Sequence, residues 1–217
     1  VDIVTVADAS GACAAGCRGQ VVVIVDVIDF STSLEACLLE GALEVYGAAG
    51  AGDKPPVPVD PVQVGRRAAV RAKELGAPVI VLAEPRIARD EERLAYAGPV
   101  LAGLAAEGLG WIGPFPNQGA ETVKYFSPRG AVVVAASSCG GAAFEAAWHT
   151  GADVLTATVA RVGGLSGFEI ACQGVRRALA RARALGTGVA LAAASSKSLE
   201  DVLATQYLAQ LARRFND

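Results

Sequence analysis

Methionine is absent from the 217 residues, histidine occurs once, at His149, and aromatic residues make up 6%. These shortages remove whole kinds of chemistry. One histidine with no partner at ligand spacing does not make a zinc site, and Cys13-Ala-Ala-Gly-Cys17 lacks the second pair that would complete one. An apolar core of this size ordinarily contains some methionine, so this one must be filled without that adaptable side chain. A basic excess is missing too: the formal net charge is −3, which argues against a nucleic-acid partner. With 53% hydrophobic and 19% charged residues, the chain also lacks the bias of a disordered one. No apolar stretch is long enough to cross a bilayer, because Asp26 and Asp29 interrupt the strongest run, and no segment reads as a signal peptide. The five cysteines are odd in number and scattered, against a secreted disulfide framework, so a reducing cytoplasm is the expected setting.

What the chain does have is alternation. Apolar runs rich in β-branched residues recur at 2–7, 21–28, 79–83, 131–136, 153–160 and 189–194, with Ala/Leu/Arg/Glu stretches of helical composition between most of them. The runs are apolar throughout rather than alternating, which calls for helices on both faces of the sheet. The expected fold is a single α/β domain over residues 1–217, a three-layer α/β/α arrangement with a largely parallel or mixed sheet. The proline-rich stretch 47–61 reads as an irregular connection within it.

An internal repeat emerges when residues 21–46 are laid over 131–156 at an offset of 110. Val22, Val23, Glu35, Ala36, Gly41 and Ala42 then fall on identical residues. Each copy is a strand, a small or polar turn, a helix and a Gly-Ala stop. Any two strand–helix–strand units share some likeness in an alanine-rich chain; a duplication implies more, that the turns 26–33 and 136–142 face one shared cleft.

In the first copy, Thr32-Ser33-Leu34-Glu35 fits a capping box, which predicts a helix starting near Thr32. Asp26 and Asp29 then lie at the carboxyl end of a buried strand, where open α/β sheets place ligands. Helix starts attract phosphate, but two carboxylates repel it, so an anionic ligand there needs a cation between them. Mg²⁺ is commonly held by one or two carboxylates, waters and a substrate phosphate. In that reading Asp26 and Asp29 hold the metal, and Ser31, Thr32 and Ser33 contact the phosphate. The same residues also fit a structural role, with the acids serving the turn and the helix dipole.

The second copy ends its strand in Ser137-Ser138-Cys139-Gly140-Gly141, a turn whose glycines let backbone amides approach an anion. Cys139 at a helix start is a position that can lower a thiol pKa, although a free cysteine more often packs as a small apolar residue. A third turn, Ser195 to Val202, offers Ser198 as an N-cap, Asp201 in the first helical turn and Lys197 as a cation at a strand mouth. The middle of the chain adds Glu84 and Arg86. Pro114 and Pro116 make the segment before Asn117 read as an irregular loop, with Asn117 or Trp111 available to line a pocket. The glycines at 163–167 match neither G-x-G-x-x-G nor the Walker lysine loop.

Taken together, these residues resemble the 2-phosphosulfolactate phosphatase family linked to coenzyme M synthesis, over nearly the whole chain. The family's Asp-Val-Leu-Arg-Ala-Thr-Ser-Thr-like stretch corresponds to Asp26-Val27-Ile28-Asp29-Phe30-Ser31-Thr32-Ser33, and its Gly-Glu-Arg-like segment to Ala83-Glu84-Pro85-Arg86. Its Gly-Asn-Ser-Pro loop is echoed by Gly113-Pro114-Phe115-Pro116, its Thr-Thr-Asn-Gly-Thr turn by Ser137 to Gly141, and its late Leu-Glu-Asp by Leu199-Glu200-Asp201. The resemblance implies Mg²⁺-dependent hydrolysis of the phosphate ester of a small acidic hydroxyacid. Glu84 or Asp201 is then the candidate general base. Arg86, Asn117, Ser137, Ser138, Cys139, Gly140, Gly141 and Lys197 join the substrate-binding set. Asp29 stands where the family has arginine, which inverts local charge. Either Arg86 or Lys197 substitutes for it, or the substrate differs, or the chain binds a small anion without turning it over. An enzyme of another reaction working through Cys139 is a further alternative. Nothing in the sequence calls for a nucleic acid or a membrane, and a homodimer is left open.

Overall fold

The computed structural model describes residues 1–216. Among these the chain forms eight strands: β1 (Ile3–Ala7), β2 (Val21–Val25), β3 (Glu44–Ala48), β4 (Val79–Ala83), β5 (Ile112–Pro116), β6 (Val132–Ala136), β7 (Val154–Ala157) and β8 (Val189–Ala193). The helices are α1 (Asp8–Cys17), α2 (Phe30–Leu39), α3 (Pro61–Leu75), α4 (Asp90–Ala106), α5 (Gly140–Trp148), α6 (Gly167–Leu185) and α7 (Leu199–Asn216), with a short 3₁₀ helix at Gly119–Lys124.

The strands form two four-stranded sheets, ordered β1-β8-β2-β7 and β3-β6-β4-β5, and every pairing is parallel. Parallel sheets need both faces covered, and the burial pattern shows how. In β2, Val22 and Ile24 join a core with α1 and α2, whereas Val21, Val23 and Val25 join a second core with α6 and α7. Helices α2 and α5 pack on both sheets and α1 lies along α5, while α3 and α4 cover the other side of the second sheet. Each sheet is therefore the centre of an α/β/α sandwich, and the two sandwiches share a middle layer of helices.

The repeat decides where the turns go. The unit β2-α2-β3 begins in the first sheet and ends in the second; β6-α5-β7 begins in the second and ends in the first. Because β2 pairs with β7 and β3 with β6, each unit is completed by strands of the other. The helix starts then meet: a Cβ on Gly140 would lie 2.5 Å from the Phe30 side chain, and one on Gly141 would lie 2.1 Å from the Ala48 carbonyl oxygen. Glycine at 140 and 141 is required by this approach.

Three details differ from the sequence expectations. Helix α2 starts at Phe30, not near Thr32, and the capping box does not form, since the Thr32 hydroxyl bonds the Val27 carbonyl and Glu35 turns inward to Thr156 and Arg177. The buried partners of those side chains outcompete a surface cap. The segment with Pro114 and Pro116 is a strand, β5; it lies at a sheet edge and pairs only with β4, the one place where missing N–H donors cost no ladder. Strand β3 lies outside the apolar runs, because Glu44 and Gly47 interrupt its apolar residues. All five cysteines are free thiols.

Gly141→Ala drives a methyl group into backbone at the centre of the fold. It is expected to lower the urea unfolding midpoint by a loss of about 1–3 kcal/mol, with the denaturant slope unchanged. Wild-type stability in that variant would show that α5 is free to shift.

Candidate functional site

A cavity of about 720 Å³ opens where β2 and β8 of one sheet and β4 and β6 of the other present their carboxyl ends. Asp26, Ile28 and Asp29 reach it from the turn before α2. Ser138 and Cys139 reach it from the turn before α5, so both repeat turns do face one cleft. Glu84, Pro85 and Arg86 follow β4, and Ser195, Lys197, Ser198, Glu200 and Asp201 surround the start of α7.

The turn of the first copy is held by its own side chains. Ser31 Oγ accepts from the Asp26 amide at 3.1 Å and donates to the Ile24 carbonyl at 2.8 Å, which fixes the exit of β2. The Asp29 amide donates to Asp26 Oδ1 at 3.3 Å, and the Val27 amide donates to Asp201 Oδ1 at 2.9 Å, tying this turn to α7. Thr32 shares a 2.6 Å hydrogen bond with Thr158, and Ser33 bonds the Gly119 carbonyl and Thr122. Ser31, Thr32 and Ser33 are thus buried and committed internally, and none lines the cavity.

On the facing side, Glu84 clasps the second turn: Oε1 accepts from Ser137 Oγ at 2.8 Å and Oε2 from the Ser138 amide at 3.2 Å. The first α5 amides with carbonyl partners are those of Ala142 and Ala143, so the amides of Cys139, Gly140 and Gly141 are the unspent donors of this helix start. Ser137, Gly140 and Gly141 are buried beneath the cavity wall. Ser198 caps α7, its Oγ accepting from the Asp201 amide at 3.4 Å.

Six carboxylates line the cavity, Asp26, Asp29, Asp53, Glu84, Glu200 and Asp201, against two cations, Arg86 and Lys197. Burial and this crowding both disfavour the charged carboxylates. Burial, with the Asp201 carboxylate beside it and Asp29 and Glu84 further off, pushes Asp26 up to about 7. Burial raises Asp29 as well, but Arg86 pulls it back through a 3.1 Å ion pair. Asp201 is raised by burial. Cys139 moves the opposite way from a helix-start thiol: burial and the charges of Asp26, Glu84 and Asp201 raise its pKa, which disfavours the thiolate that nucleophilic chemistry needs.

Asp53 and Tyr96 also line the cavity, though neither belongs to a sequence motif. Asp53 Oδ2 accepts from Tyr96 Oη at 2.6 Å and from the Gly50 amide at 2.7 Å, and the Tyr96 ring occupies the space where a Cβ at 50 would stand. The glycines of 47–52 were the available signal. Asn117 follows β5, its amide bonded to the Ala83 carbonyl, with its side chain fully buried, without a partner and outside the cavity lining. Trp111 packs on the core instead of the cavity. Among the described residues, no three His, Cys, Asp or Glu side chains converge as a ready metal cage.

No protein-family model, curated protein or solved structure matches the chain.

The Asp26 shift has a definite sign. Its folded pKa lies above the ordinary carboxylate value, so the folded state holds a proton that the unfolded chain has released, and stability falls as pH climbs from about 4 towards 7. In metal-free buffer, Asp26→Asn is expected to be more stable than wild type at pH 8, by something on the order of 2 kcal/mol, and to converge with it near pH 4. Urea titrations at both pH values check this; a variant less stable at pH 8 would contradict it.

Proposed function

We propose that the protein is a Mg²⁺-dependent phosphatase acting on the phosphate ester of a small acidic hydroxyacid. The observation that carries this reading is that the acid-rich turn of one repeat copy and the small-residue turn of the other open into the same cavity, with Arg86 and Lys197 on its wall. The motif resemblance to 2-phosphosulfolactate phosphatases adds to it.

The residues fit a divalent cation. Burial first and the Asp201 carboxylate second raise Asp26, and two carboxylates with waters and a phosphate are sufficient for Mg²⁺. We assign the cation to Asp26 and Asp201; Asp29, engaged by Arg86, anchors that arginine instead. When bound, the cation supplies Lewis-acid neutralisation of the phosphoryl oxygens. The amide of Cys139, the donor of this helix start that belongs to a cavity-lining residue, receives a phosphoryl oxygen, and Arg86 and Lys197 face the carboxylate of the hydroxyacid. Of the three carboxylates left, Asp53, Glu84 and Glu200, we assign Glu84, which lies against the second turn, to the proton of the attacking water. Oxygen then bonds to phosphorus, the ester P–O bond breaks, and the released hydroxyl takes a proton from solvent.

A second reading is a protein that binds such an anion without turnover. It is favoured by the internal commitment of Ser31, Thr32 and Ser33, which removes three hydroxyls from phosphate contact.

Phosphate release from a panel of phosphorylated hydroxyacids, with and without Mg²⁺, separates the two. The expected result is Mg²⁺-dependent release that drops about a hundredfold or more in Glu84→Gln and loses its Mg²⁺ dependence in Asp26→Asn. Calorimetric binding of a panel member with no release from any of them would establish the second reading.

A further inference from the structure

The stretch Cys13-Ala-Ala-Gly-Cys17 takes no part in the acid-rich cavity. Both cysteines belong to α1, which leaves β1 at the carboxyl end of the sheet and runs back, so its last turn lies at the opposite edge, where the chain enters β2. Four residues apart, they stand on one helix face, one turn above the other. Cys17 is exposed, and Cys13 is half-buried against the core. The two thiols act on each other: burial first, then the Cys17 thiol within hydrogen-bonding reach, raise the Cys13 pKa.

Helix spacing decides which dithiol chemistry suits them. Cβ atoms at this spacing on a helix lie about 5–6 Å apart, whereas a disulfide draws them to about 3.5–4.5 Å. The intact last turn of α1, continued by the Arg18 amide on the Ala15 carbonyl, therefore opposes a disulfide, and both thiols are free. An ion seated between the sulfurs spans the wider gap without unwinding the helix. The donor set then selects the ion. Among the described residues, no third His, Cys, Asp or Glu group joins the pair as a metal ligand, so the four-ligand demand of structural zinc is unmet. Thiolates favour soft ions, and copper(I) is the soft ion that two sulfurs alone can satisfy.

We infer that Cys13 and Cys17 form a two-sulfur site for copper(I). Each thiol gives up its proton to solvent and each sulfur donates an electron pair to the ion; nothing is oxidised or reduced. The bound group carries one negative charge. Arg18 follows Cys17, is exposed, bonds the neutral Gln20 side chain and makes no ion pair among the described residues, which leaves its charge to offset that of the thiolates. The site is independent of the phosphatase reading.

The test titrates copper(I), kept reduced in oxygen-free buffer, into the full chain against a chromophoric copper(I) chelator. One ion per chain is expected to be withheld from the chelator, whereas zinc(II), offered in the same way, is not retained. Cys13→Ser and Cys17→Ser should each weaken retention about a hundredfold or more, the loss of the second arm of a chelate. Cys139→Ser, which removes the other exposed thiol, should match wild type. One equivalent of copper(I) should also slow alkylation of Cys13 and Cys17 together, read by peptide mass. Cys17→Ser lies at an exposed position and keeps the test valid even where Cys13→Ser disturbs the packing. Failure to withhold one ion, undiminished retention by Cys17→Ser, loss of retention in Cys139→Ser, or equal retention of zinc(II) would overturn the inference.

Discussion

The contact between Phe30 and Gly140 is the constraint from which the functional geometry follows. It places the first residue of α2 against the first residue of α5, with no room for a side chain at 140. Two helices that start in contact must be entered by two strands ending side by side, although β2 and β6 belong to different sheets. Parallel strands leave ligand sites at their carboxyl ends. Here two sheets contribute their ends to one cavity. A single open sheet has one row of strand ends; the exchange of strands between the repeat copies gives this cavity two facing rows, with carboxylates on both and the Cys139 helix start on one.

That arrangement has a thermodynamic cost, and the cost is localised. Asp26 lies buried near Asp201, and burial with that neighbouring carboxylate pushes its pKa up to about 7, so its charge is poorly tolerated there. Burial raises Asp29 too, and its pairing with Arg86 offsets part of that rise. Stability-driven packing would have replaced Asp26 with a neutral residue, since its amide-accepting role asks only for an oxygen. A carboxylate kept at a position where it destabilises is the usual mark of a functional site.

The fold was legible where burial is symmetric. Val21–Val25, Val79–Ala83 and Val132–Ala136 are covered on both faces, so an uninterrupted apolar run announces each of them. Edge strands are covered less completely and carry other residues: Glu44 and Gly47 in β3, two prolines in β5. The number of sheets was not legible, because an apolar strand reads alike whichever sheet it joins. The cleft was legible for a related reason: turns at the ends of fully apolar strands can only lie at a sheet edge, and the repeat pairs them. Asp53 and Tyr96 escaped notice because each comes from an element with no strand end of its own, a loop and a helix interior, joined only by the space that Gly50 leaves.

The hydroxyl run at 31–33 shows how one residue type answers two demands. From sequence, three hydroxyls after two acids point outward to a ligand; in the fold they point inward, because the helix start they occupy is buried between two sheets. A buried helix start exposes orphan polar groups to low dielectric, and hydroxyls are the smallest side chains able to bond neighbouring backbone and one another there. Ser31 fixes the exit of β2, Thr32 joins β7's continuation through Thr158, and Ser33 joins the 3₁₀ segment that follows β5. The run thereby knits three elements from both sheets around the turn that carries Asp26. Its contribution to the site is the fixed placement of carboxylates that would otherwise repel each other apart.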